Sequence, residues 1–161
     1  MPYKRIDMDE VKKTYRDIID RTKAAGSGEE QFEIHREYYK FMDDIRTSME
    51  LAMIRHDIDT TDEFYEKESD FYDEVTPIIN QYENEYGQVL YDSPFREYLE
   101  SKIDRVTFKN IEIANKAFDE KIIPLMQEEN ALSSRYSKLI ATAKIPFEGE
   151  IYNLSLMKKF Q

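Results

Sequence analysis

The chain has 161 residues, no cysteine and no tryptophan, and its 34 Asp and Glu outnumber 23 Lys and Arg, for a formal net charge of −11. The missing cysteines exclude disulfides, thiolate metal sites and cysteine nucleophiles, and suit a reducing compartment. An acidic surface with no Lys/Arg run longer than a dipeptide repels phosphate backbones and anionic lipid heads, so neither nucleic acid nor membrane is an expected partner. No apolar run approaches the ~20 residues that span a bilayer, and the opening lacks the apolar core of a secretory signal. A soluble, cytoplasmic, folded protein is expected, since 21 Phe and Tyr against 4 Gly is not the composition of a disordered chain.

Helix signals dominate from the start. Asp7 with Glu10 forms a capping-box pattern and opens a helix to about Ala25, with Val11, Tyr15, Ile18 and Ile19 on one face. Gly26 to Gly28 break it, and Ser27 with Glu30 opens a long helix to about His56, whose stripe includes Phe32, Tyr38, Met42, Ile45 and Met49. Thr60 with Glu63 reads as a third cap, followed by a helix carrying Phe64, Phe71, Val75, Ile79, Tyr82 and Tyr86, with a kink expected at Pro77.

Ser93-Pro94 starts a short helix to about Ile103. Another begins near Val106 and carries Phe108, Ile111, Ala114, Phe118 and Ile122 until Pro124 disturbs it. Helical character returns from Leu125 to Thr142. The period then changes: Ile145 and Phe147, then Glu148-Gly149, then Ile151 and Tyr152, predict a β-hairpin within about 143–154. Alone, such a hairpin is marginal in water and needs a packing partner. Ser155 reads as a cap for a last helix carrying Leu156, Met157 and Phe160. That helix is cut short after a turn and a half, which reads as an interruption. The expected fold class is all-α, a bundle of long antiparallel helices with one C-terminal β-hairpin, forming a single helical domain over 1–161.

The patterns of chemistry are incomplete. Asp57, Asp59, Thr61, Glu63 and Glu68 have calcium-loop spacing, but the sixth position is Asp62 where the turn needs glycine. His35 and His56 belong to neither H-E-x-x-H nor Glu-x-x-His, and read as a helix-surface and a helix-end residue. Glu120, Glu128 and Glu129 read as a solvated acidic face. Tyr38, Tyr39, Tyr65, Tyr72, Tyr82 and Tyr86 read first as half-buried core with hydroxyls reaching water, and second as an interface or peptide-lining wall. No catalytic, cofactor or metal residue is identified in this chain.

Three stretches carry a family resemblance: IRHDIDTTDEFYEKESDFYDEVTPIINQY from Ile54 to Tyr82, QEENALSSRYSKLIATAKIPFEGEIYNLSLM from Gln127 to Met157, and the weaker PYKRIDMDEV from Pro2. Together they resemble the N-terminal region of the oligoendopeptidase F family, thimet-type zinc metallopeptidases that cut short peptides in the cytoplasm. The resemblance implies a helical shell divided by a deep channel, with the N-terminal helices forming part of one wall. It also implies zinc in the complete enzyme, held by an H-E-x-x-H helix and a later glutamate in a C-terminal catalytic part.

None of those positions exists in this chain, so it is expected to be inactive alone and to need the C-terminal part as partner, with oligopeptides as substrates of the whole. An acidic wall would favour basic peptides. Arg55, His56, Asp59 and Thr60 form the most distinctive polar group within the resemblance, and are expected to lock a helix junction or, less so, to line the channel. The rival expectation is a free-standing helical interaction module that kept this fold and associates with a partner, or with another copy of itself, through exposed apolar faces. A metal-carrying helical bundle is a remote third.

Overall fold

A computed structural model describes residues 2–117 and 119–160. In chain order the elements are α1 (Met8–Ala24), α2 (Gly28–Ile58), α3 (Glu63–Tyr91), α4 (Arg96–Lys102), α5 (Arg105–Ala117), a 3₁₀ turn (Glu120–Ile122), α6 (Ile123–Ala141), β1 (Ile145–Phe147), β2 (Glu150–Tyr152), α7 (Leu154–Met157) and a closing 3₁₀ turn (Lys158–Phe160). The chain is therefore mainly α with one C-terminal hairpin, as its periodicity predicts. Among the described residues no helix is long and apolar enough to cross a membrane.

Local chemistry sets most boundaries. The Asp7 carboxylate accepts from the N–H groups of Asp9 and Glu10, which α1 cannot satisfy internally. The Ser27 hydroxyl accepts from Glu30 N–H, and the Glu30 carboxylate reaches back to Gly26 N–H. The expected Thr60–Glu63 cap is not the one used. Asp62 caps α3 instead, its carboxylate accepting from the N–H groups of Phe64 and Tyr65.

The expected Ser155 cap is also displaced. Ser155 lies inside α7, and Asn153 Oδ1 accepts from Leu156 N–H at 2.8 Å. In each case a carboxylate or carboxamide stands directly before the first helical residue, next to the orphan N–H groups. Phe118, expected on the α5 face, lies outside the described residues.

α1, α2 and α3 form the core. Contacts pair late α2 with early α3 and early α2 with late α3: Met53 with Ser69, Met49 with Thr76, Arg46 with Glu83 and His35 with Tyr86. That order makes the two helices antiparallel. The α1–α2 pair is antiparallel too, with Tyr15 against Met42 and Thr22 against Gln31. Buried apolar residues run from Val11 on α1 to Phe108 on α5, and Tyr15, Tyr72 and Tyr86 are almost completely enclosed.

The hairpin turn has φ of 48° at Glu148 and 85° at Gly149, the left-handed pair that a two-residue connection between twisted strands requires. Ile145 faces Tyr152 and Phe147 faces Glu150. Its packing partner is local: Phe147 and Tyr152 meet Phe160, with ring centroids 4.9 and 5.2 Å away.

The helix α6 docks on α3 through polar groups. Pro77 has no N–H, so α3 loses the bond that would end on the Asp73 carbonyl. Asn130 of α6 donates to that carbonyl at 3.2 Å, Gln127 donates to the Glu74 carbonyl at 2.8 Å, and Ser134 donates to the Asp73 carboxylate at 2.6 Å. Lys138 closes the row on Glu66. With this polar stripe turned inward, Leu125, Leu132, Tyr136 and Leu139 face out, each more than half exposed.

Candidate functional site

The four polar residues singled out from the sequence gather at the α2–α3 junction. Asp59 N–H donates to the Arg55 carbonyl at 3.2 Å, ending α2, and Asp62 N–H donates to the Asp59 carbonyl at 3.2 Å, tightening the turn that contains Thr60. Asp59 Oδ1 accepts from the Thr61 hydroxyl at 2.6 Å and from its N–H at 2.9 Å, and these two bonds hold the carboxyl below its ordinary pKa. The Arg55 guanidinium donates to the Tyr65 hydroxyl, with its centre 5.3 Å from that ring's centroid. His56 is buried in the last turn of α2. The junction thus combines a closed turn at Asp59 with an Arg55 contact onto the first turn of α3.

The carboxylates with calcium-loop spacing diverge. Asp59 closes the turn, whereas Glu68 points into the bundle, where it is 3% exposed. Arg5 donates to Glu68 through Nε at 2.7 Å and through Nη2 at 2.5 Å, and Tyr3 donates its hydroxyl to the same carboxylate. The Arg5 side chain also lies 4.5 Å from the Phe71 ring centroid. The guanidinium holds the Glu68 carboxyl below its ordinary pKa against the opposing effect of burial. These contacts strap the segment before α1 onto α3.

A cavity of about 470 Å³ lies between α2, α3 and α5. Tyr38, Tyr39, Tyr86 and His35 line one side, and Asn80, Asn84, Asn110 and Asn115 contribute four carboxamide side chains. His35, expected on a helix surface, is instead 4% exposed. Its ring stacks 12° from parallel to Tyr86, and Nδ1 lies 3.0 Å from the Tyr86 hydroxyl. Burial pushes its pKa down to about 4, so it is neutral at pH 7. Burial also pushes the Tyr38 and Tyr86 hydroxyls up, keeping both phenols protonated.

Sequence reasoning did not single out this cavity. The one available signal was His35 three and four residues before Tyr38 and Tyr39, which places all three on one helical face. Among the described residues no three His, Cys, Asp or Glu side chains come together as a metal site. The described residues therefore do not fit the zinc that the resemblance implies.

A helical bundle with an antiparallel core, a strapped N-terminal segment and a C-terminal hairpin defines the class. The Peptidase M3 N-terminal domain family matches residues 1–118, and the chain belongs to that family. The solved structure of PZ peptidase A with an inhibitor is similar over 99% of this chain, at 38% identity and a TM-score of 0.96. An oligoendopeptidase F structure matches with the same identity, coverage and TM-score. One from Bacillus anthracis str. Ames is 36% identical over 99% of the chain, with a TM-score of 0.95. This chain spans only 28% of the first two and 29% of the third. No curated protein matches it.

Proposed function

We propose that the chain is the N-terminal helical wall of the substrate channel of an oligoendopeptidase, and that it acts only with a catalytic part supplied by other residues. In that assembly the catalytic part would hold zinc, which polarises the scissile carbonyl and activates water, and oligopeptides in the cytoplasm would be the substrates. This chain would supply shape and would cleave nothing alone. The α2–α3 junction at Arg55, His56, Asp59 and Thr60 would serve as a rigid corner of that wall.

One observation carries the reading: α6 docks by its polar stripe and turns its apolar stripe outward. Helices normally bury the apolar face, and covering three leucines is worth about 1.5–3 kcal/mol each. Ile151, Leu154 and Leu156 are exposed as well, which supports reading the C-terminal segment as the part that the rest of the peptidase packs against. The segment begins where the match to the N-terminal domain family stops.

The same face supports a second reading, a free-standing module that pairs with its own copy. The test mixes the purified chain with a polypeptide carrying the H-E-x-x-H part of the family. Light scattering should show a one-to-one complex, and peptide cleavage should appear only in the mixture. Leu132→Glu with Tyr136→Glu should weaken the complex by about tenfold or more, roughly 1.4 kcal/mol, without moving the helical signal of the isolated chain. Chelator-sensitive cleavage by the chain alone would overturn the proposal. A homodimer broken by the same substitutions, with no binding to the catalytic part, would establish the second reading.

A further inference from the structure

The cavity between α2, α3 and α5 stands apart from the rest of the surface in its charge. The chain is 35% charged with a net charge of −11, yet among the described residues the charged ones lining this cavity are Arg46 and Glu83, whose side chains pair with each other at 3.1 Å. His35 is held neutral by burial, and the neighbouring phenols stay protonated. The described lining therefore offers no net charge to a ligand.

What it offers is amide chemistry beside aromatic faces. A carboxamide carries both donors and acceptors, so Asn side chains pair with either edge of an uncharged peptide group. Tyr39 is 43% exposed and meets the His35 ring edge-on at a centroid distance of 4.8 Å, presenting a ring at the cavity rim. Met42, Leu90 and Ile111 supply the apolar lining. Gly87 lets α5 approach closely, since a Cβ there would meet Ile111 Cγ2 at 3.3 Å. One polar valence is also unspent: His35 Nε2, deeply buried in a lining residue, has no hydrogen-bond partner among the described residues. A volume of about 470 Å³ lies within the range of pockets that enclose small ligands.

We infer that this cavity is a peptide-binding pocket, which takes a short uncharged stretch of backbone carrying an aromatic or aliphatic side chain. The carboxamides of Asn84, Asn110 and Asn115 hold the backbone, and Tyr39 with the apolar lining receives the side chain. The inference rests on the peptidase reading above for its choice of a peptide as ligand. It assigns neutral, apolar-bearing peptides to this pocket, where the overall acidity of the chain would by itself select basic ones.

The test titrates the isotope-labelled chain with N-acetyl-phenylalanyl-glycinamide, an uncharged probe, and follows backbone amide shifts. Saturable shifts centred on Asn84, Thr107 and Asn110 are expected, with a Kd in the millimolar range, about −4 kcal/mol. Ala114→Phe, which fills the cavity from α5, should abolish them. Asn84→Ala and Asn110→Ala should each weaken binding about threefold to tenfold, the loss of one hydrogen bond. A lysine-for-phenylalanine probe should bind more weakly.

Absence of saturable shifts, shifts that persist in a folded Ala114→Phe variant, or a preference for the lysine probe would each overturn the inference. Either result leaves the assembly test independent, because Leu132 and Tyr136 do not line this cavity. Probe binding without assembly would likewise remove the peptidase-wall reading and leave the pocket.

Discussion

Replacing Arg5 with alanine removes the cation from a carboxylate that cannot reach water by itself. The Glu68 side chain is 4% exposed, and the Arg5 side chain 45% exposed. Removing one partner of a fully buried pair typically costs about 3–5 kcal/mol, because the remaining charge is left uncompensated. Exposed pairs are worth about 0–1 kcal/mol. With one partner buried and the other half in solvent, and with Tyr3 still donating to Glu68, an intermediate cost of about 2–3 kcal/mol follows for Arg5→Ala at pH 7. In a domain of this size that lowers the thermal midpoint by about 4–12 °C.

The pH dependence separates this cause from lost packing against Phe71. Glu68 has a folded-state pKa below its unfolded value. Its pairing therefore stabilises the protein fully above the unfolded pKa, near 4.3, and that contribution is lost as pH falls through the lower folded value. Arg5→Ala should thus differ from wild type by the full amount at pH 7, and the gap should narrow as the pH drops below about 4. Urea denaturation followed by far-UV circular dichroism measures it, and a double-mutant cycle with Glu68→Gln isolates the coupling. A gap under about 0.5 kcal/mol at pH 7, or one independent of pH, would refute the strap as an electrostatic lock.

Three further outcomes are expected. Asp62→Ala should cost about 1 kcal/mol, as loss of a helix cap does, while Thr60→Ala stays within about 0.5 kcal/mol; urea midpoints for the pair decide which residue caps α3. Asn130→Ala leaves the Asp73 carbonyl without its side-chain donor and should cost about 1–2 kcal/mol. The same change in a Pro77→Ala background should cost less, because the intrahelical bond to that carbonyl can then form. His35 is held neutral with a pKa near 4, so the unfolded chain takes up a proton from about pH 6.5 downward while the folded chain does not. Stability should accordingly fall between pH 6.5 and 4 by on the order of 2–3 kcal/mol, and His35→Phe should flatten that slope; an unchanged slope would place the buried titration elsewhere.

What could be read from the residues was what local chemistry decides. Asp7 and Ser27 cap their helices because each stands next to the N–H groups it serves, and Glu148-Gly149 turns the hairpin because two left-handed residues suffice. The α3 start went one way rather than another because Thr60 and Asp62 both lie within reach, and the carboxylate is the stronger acceptor two residues nearer. His35 was illegible for a different reason. Its ring packs on Tyr86, 51 positions away, and no spacing within α2 announces a ring arriving from α3. The cavity is non-local in the same sense, since its carboxamides come from two helices separated by α4.

The inversion of α6 joins these two kinds of cause. Leu125, Leu132, Tyr136 and Leu139 stand at helical steps on one face, but a stripe on one helix does not say which neighbour receives it. Within this chain the decision falls to Pro77, placed in α3 where a missing N–H leaves a carbonyl unpaired. The four residues Gln127, Asn130, Ser134 and Lys138, at steps of three and four, answer that opening and the carboxylates beside it. A polar docking stripe of this kind stabilises modestly, because each hydrogen bond replaces one to water, whereas the apolar stripe opposite it holds most of the unspent burial energy. A helix built with both stripes is suited to sit between two bodies: it is fastened to the bundle by hydrogen bonds and offers its larger hydrophobic gain to whatever packs on its other side.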